Sequence, residues 1–110
     1  MKITELALKC GFEKLNEVEE CNEVNGAYCC DLLSWVIGRA GDQDALVTVM
    51  TNPNVVAVAV MADLPCIILS EGVTMDGEII KKATDNGIGV LRSEKNTYQT
   101  AVAIHEALCR

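Results

Sequence analysis

The chain has 110 residues, a formal net charge of -7, and a composition that is 50% hydrophobic but only 4% aromatic. That length suits one domain, and the apolar share supports a core without disulfide staples. The acidic balance excludes phosphate backbones and anionic lipid as partners, so neither nucleic acid nor a membrane surface is expected.

No stretch approaches the run of about 20 apolar residues needed to span a bilayer. Glu5 and Lys9 interrupt the opening MKITELALKCG where a signal peptide would be apolar. The expectation is a cytoplasmic protein whose six cysteines (10, 21, 29, 30, 66 and 109) stay reduced. No C-x-x-C occurs and the single histidine is His105, so neither a metal site nor a cofactor is expected. Cysteine is among the most buried residue types, which makes inert core filling the leading reading, with Cys29 left open as an exposed thiol.

Thr4 to Lys9 reads as a short helix capped by Thr4, with Leu6 and Leu8 as apolar contacts and Gly11 as its stop. Phe12 to Leu15 reads as a first short strand, and NEVEECNE as a solvated connection. Val24 to Cys29 follows as a second short strand loosened by Gly26; on a strand, Cys29 and Cys30 would point to opposite faces. Asp31 then reads as the N-cap of a helix with an apolar stripe of Leu32, Leu33, Val36, Ile37 and Ala40. Trp35 borders that stripe, and Gly41 ends the helix.

ALVTVM is a strand rich in β-branched residues. In TNPN, Asn52 is a cap and Pro53 takes the first helical position. VVAVAVMA fits strand or helix by pattern; Pro53 and the need for a crossover favour helix. CIIL at 66–69 reads as a central parallel strand. A helix follows from about Gly77 to Asp85, with Ile79, Ile80 and Ala83 inward and Lys81 and Lys82 outward, closed by Asn86-Gly87. IGVL at 88–91 is a strand. Ser93 reads as the cap of a last helix reaching about Leu108, with Tyr98, Ala101, Val102, His105 and Leu108 along one side. His105 reads as a packed or half-exposed helix residue rather than a ligand.

Strand and helix alternate three times from residue 45 onward, which implies right-handed crossovers and a mostly parallel sheet between helices. The helix over VVAVAVMA has no polar side, and a second copy of the chain is the expected cover, giving a homodimer.

In open parallel sheets, ligands bind beyond the carboxyl ends of the strands. The corresponding residues are Thr51, Asn52 and Asn54, then Ser70, Glu71 and Gly72, then Arg92 and Ser93. Free amides at helix starts and the Arg92 charge could hold a phosphate or nucleotide; equally, Asn52, Ser70 and Ser93 could serve only as caps and turns. No G-x-x-x-x-G-K-[ST], G-x-G-x-x-G or G-x-S-x-G is present, and no catalytic residue is assigned.

The blocks NGAYCCDLLSWVIGRA, ALVTVMTNPNVVAVAVMADLPCIILSEGV and GIGVLRSEKNTYQTAVAIHEAL together resemble the DRTGG domain family across nearly the whole chain. Its motif places Gly26, Tyr28 and Asp31 among the shared positions. Cys21 and Asn22 stand where the family has its acidic and arginine residues, Asn25 replaces the threonine, Gly26 keeps the first glycine and Ala27 replaces the second. Domains of this family look like the N-terminal domain of HPr kinase/phosphorylases. They also occur as regulatory or assembly modules in some phosphotransacetylases and in CBS-containing inorganic pyrophosphatases.

The resemblance implies a three-layer α/β/α fold with a mostly parallel central sheet, HPr kinase N-terminal-domain-like, as one domain over residues 1–110. It implies a binding or oligomerisation role and names no ligand; taken with the polar edge, the expectation is a non-catalytic regulatory or ligand-binding module sensing a nucleotide or phosphorylated metabolite. The alternative is an assembly module for a separate partner enzyme; a third reading is a redox or metal protein using Cys29, Cys30 and Cys66.

Overall fold

The computed structural model describes residues 1–19 and 23–109, so Cys21 and Asn22 lie outside the described residues. The most apolar runs form the middle of a five-stranded sheet in the order β1-β5-β4-β3-β2. These strands are β1 (Glu13–Lys14), β2 (Gly26–Cys29), β3 (Asp44–Thr48), β4 (Cys66–Leu69) and β5 (Gly89–Arg92). β2 to β5 are mutually parallel, with Tyr28 opposite Leu46, Leu46 opposite Ile67, and Ile67 opposite Val90. β1 pairs antiparallel with β5, Glu13 opposite Arg92. β4 is buried at every position because both faces are covered.

The layering follows from the strand order. The sequence β2, β3, β4, β5 steps in one direction across the sheet, so right-handed crossovers put all the connecting helices on the same face. These are α2 (Leu33–Val36), α3 (Pro53–Met61) and α4 (Gly77–Asp85). The other face is covered by α1 (Ile3–Cys10) and α5 (Thr97–Leu108). Two cores result, divided by strand alternation. Ala45, Val47, Cys66, Ile68 and Leu91 pack with Leu6 and Ile104. Leu46, Ile67, Leu69 and Val90 pack with Val55, Ala59 and Ala83.

The helix over VVAVAVMA is confirmed: the Asn52 side chain accepts from the Asn54 amide at 2.9 Å, and Pro53 opens the helix. Val55, Val56, Val58 and Ala59 are buried, while Ala57, Val60 and Met61 face outward without a charge among them. The Gly11 and Gly87 stops are both left-handed, at φ of 73° and 74°.

Five local expectations are corrected. Thr4 lies inside α1, whose N-cap is Lys2, and its Oγ1 accepts from Lys14 Nζ at 2.8 Å. Leu8 is 79% exposed rather than packed. α2 is only four residues long, because Ile37 is already extended and Gly38 turns left-handed. Of the expected stripe only Val36 is fully buried; Leu32, Trp35 and Ile37 are exposed, with Arg39 stacked 4.1 Å over the Trp35 ring. Asn96, not Ser93, caps α5 by accepting from Gln99 N at 2.7 Å, and Tyr98 in its first turn points to solvent. No helix among the described residues is long and apolar enough to cross a membrane.

Candidate functional site

Parallel pairing sends the ends of β2, β3, β4 and β5 to one edge of the sheet. After β4 the chain turns toward the α2–α4 face, whereas after β5 it turns toward the α1–α5 face. The segments beyond these neighbouring strands thus lead to opposite faces, while their exit loops stay side by side at the carboxyl edge, where ligands of parallel sheets bind. Ser70, Glu71, Gly72, Arg92 and Ser93 all meet here.

The two exit loops are tied together by the chain's own bonds. Glu71 N donates to Lys95 O and Gly72 N to Ser93 O, each at 2.8 Å. The fully buried Ser70 hydroxyl bonds Thr97 Oγ1, and the buried Ser93 hydroxyl bonds Thr100 Oγ1, again at 2.8 Å. Glu71 and Gly72 both adopt positive φ, 62° and 70°, and together turn the loop back onto β5. Arg92 clamps this turn: Nε and Nη2 donate to Gly72 O at 3.1 and 2.8 Å. Its Nη1 donates to Glu94 at 2.7 Å and to Glu13 at 3.3 Å. With two carboxylates and a carbonyl around it, the guanidinium is already neutralised.

Thr51, Asn52 and Asn54 sit one strand along, beyond β3. Asn52 is spent on its helix cap, while Thr51 is half-buried and Asn54 exposed.

Asp31 belongs to the same edge but is not a cap. Its Oδ1 accepts from Thr48 Oγ1 at 2.7 Å and from Val49 N at 2.9 Å, tying the exit of β2 to the exit of β3. Leu32 takes the cap position of α2 without a side-chain bond. Of the other motif residues, Tyr28 packs against the α2–α4 core. Gly26 lies at the opposite, amino edge, where a Cβ would stand 2.7 Å from Asp44 Oδ1.

Sequence reasoning passed over Lys95. It stands three residues beyond the end of β5 and makes no ion pair among the described residues. Its side chain lines two adjoining cavities of about 440 and 330 Å³ on the α1–α5 face, with Lys9 in the first, Tyr98 and Gln99 in the second and Glu106 in both. The available signal was its position one residue beyond Glu94, whose carboxylate is taken by Arg92.

The cysteines divide by depth. Cys66 is wholly buried and its thiol is pushed up to about 12 by desolvation. Cys10 is raised by burial, with Lys95 pulling the other way, and donates to Ala103 O at 3.4 Å. Cys29 is raised by burial and then by the neighbouring Asp31 charge. Cys29 and Cys30 do face opposite sides: Cys30 packs with the α2–α4 core, and Cys29 lines a cleft against α5. No group of three or more metal-ligating side chains converges among the described residues.

These features define an α/β module built on parallel strands, with a self-bonded polar edge at the exits of β4 and β5. The model of the DRTGG domain matches residues 17–107, and the chain belongs to the DRTGG domain family. Among solved structures it is similar to the CBS and DRTGG domains of the regulatory region of Clostridium perfringens pyrophosphatase, crystallised with the activator diadenosine tetraphosphate. That likeness has a TM-score of 0.72 at 14% identity and covers 96% of this chain and 46% of the other. The chain thus spans under half of that structure, with which it shares a fold. No curated protein matches the sequence.

Proposed function

We propose that this chain is a non-catalytic cytoplasmic regulatory module that senses a nucleotide or another phosphorylated metabolite at the carboxyl edge of its sheet. The observation that carries this reading is the polar edge built by the β3, β4 and β5 exit loops, with Lys95, which makes no ion pair among the described residues, beside it. A lysine without an ion-pair partner next to this edge attracts a phosphate, and the exposed Tyr98 ring offers a face for a base. The family supports it as well, since the similar pyrophosphatase region holds a dinucleoside polyphosphate activator. Thr51, Asn54 and Glu71 border this edge and can contact the ligand. Asn52, Ser70, Gly72, Arg92 and Ser93 give it its shape.

The module acts as a homodimer in this reading. Leu32, Trp35 and Ile37 on the α2 segment and Val60 and Met61 on α3 form the apolar surface a second copy would cover. Sedimentation equilibrium tests this part: the chain sediments as a dimer and Val60→Glu with Met61→Glu as a monomer. A wild-type monomer at micromolar concentration would refute it.

The ligand part is tested by thermal shift with a panel of nucleotides and sugar phosphates. A ligand at 100 times its Kd stabilises the fold by about 2.7 kcal/mol, well within detection. Lys95→Glu removes the shift. No stabilisation by any compound at millimolar concentration overturns the ligand reading. The same apolar surface supports the second reading, an assembly module for a separate enzyme. In that case a stoichiometric partner is retained on the wild type and on Lys95→Glu, and lost on the α3 double variant.

A further inference from the structure

The sensing function leaves one chemical cluster unused. A cleft of about 330 Å³ lies between the edge strand β2 and helix α5, lined by Asn25, Cys29, Ala101, Ile104, His105 and Cys109 among others. Two thiols and the only imidazole of the chain share it. Neither the expected Cys29–Cys30 pair nor Cys66 belongs to such a grouping, since Cys30 faces the other side of the sheet and Cys66 is sealed in the core.

Within the cleft, Cys109 stands one helical turn beyond His105, and its Sγ lies 3.6 Å from Nε2 and 3.7 Å from Nδ1. Both ring nitrogens are in reach, so either tautomer of the neutral ring presents an acceptor to the thiol. The other described cysteines lack this. Cys10 and Cys30 donate to backbone carbonyls, which cannot hold a proton, and Cys29 has the Asp31 carboxylate opposing its ionisation. A solvent-exposed thiol with a base within reach of its proton has the geometry for nucleophilic exchange.

We infer that Cys109 is the reactive thiol of this chain, and that the β2–α5 cleft accepts the small group it acquires by exchange with a low-molecular-weight disulfide. His105 takes the Cys109 proton, and the thiolate attacks one sulfur of the incoming disulfide. That S–S bond breaks as the new bond to Cys109 forms. The departing thiolate recovers the proton from His105 and leaves as a thiol. One disulfide and one protein thiol give one mixed disulfide and one small thiol, so the Cys109 sulfur is oxidised while the released sulfur is reduced.

The adduct stays mixed. α5 starts at the carboxyl edge of the sheet and runs back toward the amino edge. Cys109 therefore lies toward the Asn25 end of the cleft and Cys29 toward the Ala101 end. The eight residue steps from Ala101 to Cys109 rise about 12 Å along the helix, beyond the span of a disulfide.

The test uses the full-length protein, oxidised glutathione and the aromatic disulfide 5,5′-dithiobis(2-nitrobenzoate), with peptide mapping by mass spectrometry. The first adduct falls on Cys109. His105→Gln slows its formation by about tenfold or more while leaving the thermal midpoint unchanged, and Cys29→Ser alters neither rate nor product. Each of three results overturns the inference: first labelling at another cysteine, a His105→Gln rate within about twofold of wild type, or loss of two hydrogens to an internal disulfide in place of the adduct.

Discussion

Asp31 offers the sharpest measure of how this fold is held, because its position in sequence suggests one role and its contacts another. As a cap it would serve only a four-residue helix; as observed, one carboxylate oxygen receives the Thr48 hydroxyl and the Val49 amide. Bonds to a charged acceptor contribute roughly 1.5–3 kcal/mol each. Asp31 is exposed, and water can partly replace it at Val49, which discounts the sum. Asp31→Ala is therefore expected to destabilise by about 2–3 kcal/mol, a drop in Tm on the order of 10 °C. Asp31→Asn keeps an acceptor but loses the charge, at about 1 kcal/mol, whereas for an N-cap the two residues are nearly equivalent.

The decisive assay is a double-mutant cycle with Thr48→Val, read by urea unfolding at constant slope. Thr48 also accepts from Met50 N, so its single variant carries an unrelated loss that the cycle subtracts. A coupling of about 1–2 kcal/mol between positions 31 and 48 is expected. Coupling below about 0.3 kcal/mol would show that Asp31 does not bridge the strand exits.

Gly26→Ala places a Cβ 2.7 Å from Asp44 Oδ1, and moving that carboxylate breaks its 2.8 Å bond from Gly41 N. The expected cost is about 1 kcal/mol in urea unfolding, and it vanishes in an Asp44→Ala background. Leu8→Glu is expected to change stability by less than about 0.5 kcal/mol, since Leu8 is 79% exposed; a core position would lose several times more. The Cys66 thiol is raised from 9.0 to about 12, so the folded state keeps its proton where the unfolded chain has lost it. That contribution is intact below pH 9 and is lost as pH rises from 9 toward 12. Cys66→Ala should flatten this alkaline fall in stability, measured by urea unfolding across that range.

The sheet was legible because its strands are read by composition alone. CIIL, ALVT and GVL are continuous apolar runs, and only a strand covered on both faces tolerates that. Pro53 after Asn52 decided an ambiguous Val/Ala run in favour of helix, and the cap is there. What escaped were choices between neighbours of equal local merit. Ser93 and Asn96 are both good caps, but Ser93 is carried into the core by β5, so its hydroxyl bonds Thr100 and the cap falls to Asn96. The α2 stripe failed for a similar reason. Leu32 and Ile37 lie outside the short helical segment, and Gly38 breaks it before the period can complete.

The proposed edge could be located from sequence, but not its charge. A parallel sheet dictates that the loops after β3, β4 and β5 share one edge, so Thr51, Ser70 and Arg92 could be grouped from sequence. Which cation stays available depends on pairing across the sheet. Glu13 reaches Arg92 only because β1 folds antiparallel onto β5, 79 residues away in sequence. Once Glu13 and Glu94 neutralise Arg92, its guanidinium holds the Gly72 turn instead of facing outward, and Lys95 becomes the charge a phosphate would meet. This separates two kinds of loss. Arg92→Ala should loosen the Gly72 turn at the β4–β5 edge and lower stability together with any binding. Lys95→Ala should weaken phosphate binding while leaving the unfolding midpoint in place.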